Sequence, residues 1–307
     1  MSAETEPRDR LALLFPGQGN LRPGIGQRLL AEVPWAGERL RQLSEAAGTD
    51  LVELLCEAPL CEEPVTGHLA MAAYGLVAFE HLRRDREERP AIMAGHSLGE
   101  ITALVCAGML GPEEGLRLAR VRGECMAEAT RDTSGAMLAL VGASLERLRE
   151  IFADWRGSDP DASVWEVNLN GPQQLVVAGE REALADLQAF LDGRDVRSMP
   201  LKTAGAFHTP LMAEAAACLA RAAADLSFGE PSIPLVSSMN GRMLTSHRGM
   251  EVHLALQMAS PVQWLETMRC LQRAQVTRVI EVGPPGGPLT RLARDLGGWR
   301  ISGLFEK

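Results

Sequence analysis

Apolar residues fall in two rhythms along this chain. Short uninterrupted runs at Leu11–Phe15, Ala91–Ala94 and Val279–Val282 have the length of buried strands, and each stops at a break: Pro16-Gly17, Gly95 and Gly283-Pro284. Between them apolar positions recur every three or four residues, the spacing of helices that bury one face. Leu69–Leu82, a stretch from about Glu113 to Ala129, and Leu289–Leu296 read this way, and residues 27–60 read as helices with connections. Strands separated by helices predict an α/β fold with a parallel sheet.

From about Arg131 to Lys202 the pattern tightens. Ala136–Val141 reads as a strand, Leu145–Phe152 as a helix, Val164–Leu169 and Leu175–Ala178 as strands, Arg181–Leu191 as a helix and Val196–Leu201 as a strand. That β-α-β-β-α-β order is ferredoxin-like. The expected architecture is therefore a discontinuous large domain, 1–130 and 203–307, with an inserted ferredoxin-like small domain, 131–202.

With 307 residues, 46% hydrophobic and 23% charged, the chain has material for one large domain or a domain plus an insert. Its net charge of −9 argues against nucleic acid and against an anionic membrane surface as partner. No run approaches the roughly 18 apolar residues of a membrane span. Met1–Arg10 is polar and charged, which predicts a disordered tail and not a signal peptide. The mixed charge run Arg83–Arg89 reads as a solvated linker. Six cysteines without Cys-x-x-Cys or metal spacing imply a reducing, cytoplasmic setting, with Cys106 and Cys125 as buried free thiols.

The stretch that bears chemistry is Gly95-His96-Ser97-Leu98-Gly99-Glu100. A strand-length run precedes Gly-x-Ser-x-Gly and a helical pattern through Ile101, Leu104 and Val105 follows it, the context of a nucleophile elbow and of an α/β-hydrolase-like large domain. Ser97 is the expected nucleophile, and the Leu98 N–H at the helix start an expected oxyanion donor. Downstream, Arg122 interrupts an inward stripe of Gly115, Leu118, Cys125, Met126 and Ala129. A buried guanidinium needs an anion: a structural salt bridge, with Glu100 as candidate, or a substrate carboxylate held bidentately. A serine nucleophile also needs a base. His96, next to Ser97 at a sharp turn, is poorly placed; His247 and His253 lie in a polar stretch and carry no signal; His208 in Gly205-Ala206-Phe207-His208-Thr209-Pro210 remains.

Four motifs in order, Phe15-Pro16-Gly17-Gln18-Gly19, the Ser97 motif, Arg122-Gly123 and Ala206-Phe207-His208, resemble malonyl-CoA:acyl-carrier-protein transacylases and the acyltransferase domains of polyketide synthases. The likeness runs from about Leu11 to about Leu292. It implies that the Gln18 N–H is the second oxyanion donor, where otherwise Pro16–Gly19 would be a simple turn. It implies that His208 is the base, oriented by the Gln257 backbone carbonyl, that Arg122 holds a substrate carboxylate, and that Asn170, otherwise a turn residue, faces substrate. Phe207 resembles the malonyl-preferring pattern, and His68 stands where the family commonly has a pocket-lining glutamine. The implied reaction moves a malonyl-type group from CoA to the phosphopantetheine thiol of an acyl carrier protein through an acyl-serine, with no metal or other cofactor, by a protein expected to be a monomer. Two alternatives stay open: a discrete assembly-line acyltransferase with an unusual acyl group or carrier-protein donor, and an editing thioester hydrolase. Asn20-Leu21-Arg22-Pro23 and Gly283-Pro284-Pro285-Gly286-Gly287 depart from the family pattern.

Overall fold

A computed structural model of the chain describes residues 9–56, 63–131 and 133–305. Among the described residues ten strands form in chain order: β1 Leu11–Phe15, β2 Ile92–Gly95, β3 Gly135–Val141, β4 Val164–Gly171, β5 Gln174–Glu180, β6 Arg197–Pro200, β7 Leu235–Val236, β8 Met243–Leu244, β9 Arg278–Glu281 and β10 Arg300–Gly303. Six make one sheet in the order β10-β9-β1-β2-β7-β8, parallel except for β8. β1 is central and wholly buried, as an unbroken apolar run requires when helices cover both sheet faces. Register pairs Phe15 with Gly95, so the loops leaving β1 and β2 emerge side by side at the C-terminal edge, where open α/β sheets place their sites.

The second sheet, in the order β4-β5-β3-β6, has only antiparallel pairings, and the helices Leu145–Ser158 and Arg181–Leu191 pack on it. Side chains alternate along β3, as the two-residue period of a strand dictates. Leu138 and Leu140 join a local core with Phe152, Trp155 and Leu187, whereas Met137 and Ala139 turn toward the main body. The chain leaves and re-enters the larger body at one place: a methyl on Gly205 would lie 2.3 Å from the Thr130 side chain.

The strand and helix assignments hold to within a few residues, with differences that have physical causes. The apolar helix extends over Pro64–Arg84, its N-terminal amides accepted by the Glu63 carboxylate. β7 and β8, two residues each, are too short to carry a period, and β10 reads Arg-Ile-Ser-Gly with no apolar run, so all three are absent from the sequence reading. The run Arg83–Arg89 is not simply solvated. Glu88 is largely buried against Arg278, and Arg86 donates to the Leu304 carbonyl, tying the run to the sheet edge. Asp9 and Arg10, assigned to the tail, are also held: Asp9 pairs with Arg278 and Arg300, and Arg10 bonds Thr277. The rest of that tail lies outside the described residues.

One cysteine assignment is overturned, and unpaired cysteines therefore no longer argue for a reducing setting. Cys125 is not a free thiol but is bonded to Cys218, linking the helix Pro112–Thr130 to the helix Ala213–Ala223, which pack together in the core. Two positions 93 residues apart share no local pattern, so the pairing is invisible until the helices are placed. Cys106 stays a buried thiol, its pKa pushed well up by burial and then by Glu80. Among the described residues no helix is long and apolar enough to cross a membrane.

Candidate active site

The elbow forms as its glycines demand. Ser97 turns through a left-handed conformation (φ 53°) between β2 and the helix Gly99–Cys106. A methyl on Gly95 would lie 2.1 Å from the Glu100 amide nitrogen, and one on Gly99 2.0 Å from the Phe15 carbonyl oxygen, so neither position tolerates a side chain. Gly17 on the neighbouring loop packs so closely that an added methyl would be 3.0 Å from the His96 carbonyl oxygen and 3.7 Å from Ser97 Cβ. Gln18 opens a short 3-10 turn there, its side chain against Gly67 and donating to the Glu63 carbonyl. Gln18 thus lies on the loop beside the elbow and lines the same cleft as Ser97, while Leu98 begins the elbow helix.

His208 arrives 111 residues later in sequence and meets Ser97: Oγ to Nε2 is 2.7 Å. It too adopts a left-handed conformation, φ 64°. Two non-glycine residues at positive φ, facing each other, are the kind of local strain that clusters at functional sites. On the far side of the ring, Nδ1 lies 3.0 Å from the Gln257 carbonyl and 3.1 Å from that of Ser260. Both are acceptors, so Nδ1 carries the proton and Nε2 is left to accept from Ser97. Burial first, and then the Arg122 charge, push the imidazole pKa down to about 3, against the pull of those two carbonyls.

Arg122 is 1% exposed and lies directly behind Ser97. Nη2 donates to Ser97 Oγ at 3.1 Å and to Gln257 Oε1 at 3.5 Å, and Nη1 donates to His68 Nε2 at 3.1 Å. Every one of these acceptors is neutral, and Nε has no partner among the described residues. The salt bridge to Glu100 that the sequence left open is not formed; the Gln257 amide stands between the two charges. Burial lowers the guanidinium pKa to about 10, partly offset by the Glu100 charge. His68 is held well below its usual pKa by burial and then by Arg122, which fits a neutral ring accepting from the guanidinium.

In front of Ser97 opens a cleft of about 470 Å³ between the two sheets. Gln18, Ser97, Asn170, Phe207 and His208 line it, whereas Arg122 and His68 lie beneath its floor. Asn170, next to last in β4, accepts through Oδ1 from His96 Nε2 at 2.9 Å and donates through Nδ2 to Gln174 Oε1 at 2.9 Å. His96 packs on Trp264 and faces Asn170, away from the proton of Ser97. The opposite wall is the four-stranded sheet, with Met137, Val176, Met199 and Leu201. The two unusual loops meet near the mouth, where Arg22 donates to the Pro285 carbonyl at 2.6 Å.

Sequence reasoning missed the layer under Ser97. Glu100 is fully buried and accepts from His253, Ser238 and the Gln257 side chain. Burial would raise its pKa, but the His253 and Ser238 contacts outweigh that and hold it low. A signal existed: Glu100 is the lone charge in an otherwise apolar helix, and His253 sits four residues before Gln257.

The family model described as "acyl transferase domain" matches residues 12–289. The chain belongs to the acyl transferase domain family. It is 38% identical over 93% of its length to the polyketide biosynthesis protein ThaF of Burkholderia thailandensis, although it spans only 24% of that relative. It is 33% identical to the malonyl CoA-acyl carrier protein transacylase of Escherichia coli K12, covering 93% of this chain and 92% of the relative. Among solved structures, the malonyl-CoA:acyl carrier protein transacylase of Xanthomonas oryzae superposes with a TM-score of 0.90 at 34% identity, covering 97% of this chain and 95% of that one. A malonyl-transacylase solved with its type II polyketide synthase acyl-carrier protein superposes at 0.88 with 30% identity, covering 96% and 95%. These likenesses span the elbow, the Arg122 helix and the second sheet together.

Proposed function

We propose that this acyl transferase moves a malonyl-type group from CoA to the phosphopantetheine thiol of an acyl carrier protein through an acyl-serine on Ser97. His208 Nε2 takes the hydroxyl proton as Oγ forms its bond to the thioester carbonyl carbon. The backbone N–H groups of Gln18 and Leu98 receive the oxyanion. Collapse breaks the C–S bond, and the imidazolium returns its proton to the CoA sulfur. The carrier thiol then gives its proton to His208 as its sulfur bonds the ester carbonyl carbon, and collapse breaks the C–O bond to Ser97, whose Oγ takes the proton back from the imidazolium. No step calls for a metal or redox cofactor.

The observation that carries the acyl-group assignment is Arg122: a buried guanidinium on the serine oxygen, surrounded by neutral acceptors only. A carboxylate at the distal end of the acyl group supplies the missing charge, and charge-assisted hydrogen bonds of this type are worth about 1.5–3 kcal/mol. Asn170 and Phe207 bound the acyl pocket in front of it, and His68 backs it from below. The same reading takes 131–202 as a ferredoxin-like domain inserted into an α/β-hydrolase-like body, working as a monomer in the cytoplasm where CoA thioesters are used. Intact-mass measurement after incubation with a panel of acyl-CoAs tests it. A dicarboxylate half-thioester should leave a covalent adduct on Ser97 that a carrier protein discharges. Adducts from neutral acyl groups only would overturn the assignment, and hydrolysis outpacing transfer at saturating carrier would make the protein an editing hydrolase.

A further inference from the structure

Beneath the Ser97–His208 pair lies a closed polar cluster that the transfer steps leave unused. Glu100 Oε1 accepts from His253 Nε2 at 2.5 Å. Its Oε2 accepts from the Ser238 amide at 2.9 Å, the Ser238 hydroxyl at 2.5 Å and Gln257 Nε2 at 3.1 Å. A carboxylate can only accept, so Gln257 must turn its NH2 end toward Glu100, and its Oε1 is then the end that faces Arg122. The same Nε2 donates to the Ser97 carbonyl at 2.9 Å, and the main-chain carbonyl of Gln257 receives His208 Nδ1. One glutamine therefore touches nucleophile, base and guanidinium, and Glu100 dictates which way its amide points. His253 and Gln257 are four residues apart on the helix Met250–Met258, so their side chains share a face and grip opposite oxygens of one carboxylate.

We propose that His253, acting through Glu100 and Gln257, is a positioning residue for Arg122 and so sets the preference for carboxylate-bearing acyl groups. The proposal rests on the reading that Arg122 receives the substrate carboxylate. With the imidazole N–H on Oε1, Glu100 keeps Oε2 for Gln257. Without it the buried carboxylate has an oxygen with no donor and draws the Gln257 amide across or takes up a proton. In the first case Gln257 carries its Oε1 away from the guanidinium, and in the second the carboxylic acid O–H takes Oε1 and lets NH2 face the guanidinium; either way Arg122 loses the acceptor that holds Nη2 beside Ser97.

The test is the initial rate of Ser97 acylation by malonyl-CoA and by acetyl-CoA, followed by intact mass on the full chain, with thermal melting as the fold control. His253→Leu should lower the malonyl-to-acetyl rate ratio about tenfold, the scale of one charge-assisted hydrogen bond, while the acetyl rate stays within about twofold. His253→Gln, which keeps an N–H donor, should restore most of the ratio. A purely structural role would slow both donors alike. Should His253→Leu not fold, the isosteric Glu100→Gln is read the same way, since an amide there accepts either end of Gln257. Parallel loss with both donors, an unchanged ratio, or failure of His253→Gln to rescue overturns the proposal. A wild-type protein with no preference for malonyl-CoA overturns the Arg122 reading instead, so the two failures are distinguishable.

Discussion

The floor and the far wall of the cleft are built on opposite terms. Behind Ser97, the side chains of Arg122, His208, Gln257 and Glu100 are buried and each is held by hydrogen bonds to more than one partner, against a central parallel sheet. Across the cleft, the wall comes from the second sheet, and its edge strand β6 with the adjoining Leu201 leaves apolar side chains half open: Met199 is 48% exposed and Leu201 36%. Burial is what gives the floor its chemistry. It strips water from His208 and Arg122, makes the imidazole a neutral acceptor, and leaves the guanidinium in want of a charge. Met137, Val176, Met199 and Leu201 on the wall carry neither charge nor side-chain hydrogen-bonding groups. Under the proposed function they offer apolar contact area to the pantetheine arm that both thioesters share.

If that contrast is right, substitutions in the floor change what reacts and substitutions in the wall change how well it is held. The largest effect is expected at the nucleophile and base. Ser97→Ala should form no adduct, and His208→Ala should slow acylation by about 10²–10⁴-fold, the usual yield of a positioned general base, as read by rapid-quench intact mass. Next is the staple beneath the floor. Reducing Cys125–Cys218, or Cys218→Ser, should lower unfolding free energy by about 3–5 kcal/mol in denaturant titrations, because the bond closes a long loop.

The pH dependence separates the regions further. Because His208 is neutral above about pH 3, the acylation rate should run flat from pH 8 to 5 without an acid limb near an ordinary histidine pKa of about 6.5. Arg122→Gln removes the second cause of that depression and should move the limb upward. Stability has the same sign. Between about 3 and 6.5 the unfolded chain binds a proton at this histidine that the folded chain does not, so stability should fall as pH falls through that window. The smallest effect is expected at the wall: Met199→Ala should raise KM for malonyl-CoA and acetyl-CoA by a common factor of about three to ten, the loss of a few buried methylenes, without changing their ratio. A shift in the ratio would mean that the wall also chooses the acyl group.

The same contrast explains what was legible in the sequence. The elbow could be read because its glycines are imposed by backbone contacts too short for any side chain, and such constraints write fixed spacing into the chain. Arg122 could be read because a charge within a helical apolar stripe is conspicuous. β1, β2 and the Arg181–Leu191 helix could be read because burial enforces their period. His253, Ser238 and the Gln257 side chain could not, since they are joined to Glu100 only through tertiary contacts spanning 138 to 157 positions. Cys125–Cys218 and the short strands β7, β8 and β10 escaped for the same reason: their partners are chosen in space, not along the chain.

The most direct test of the central claim is the ratio of malonyl to acetyl adduct on Ser97 in Arg122→Ala against the wild type, at equal and limiting acyl-CoA. The Arg122 account predicts that the ratio falls by about 10–100-fold, the equivalent of the 1.5–3 kcal/mol of a charged hydrogen bond, with acetyl labelling retained. A ratio that stays the same in a folded variant would contradict it.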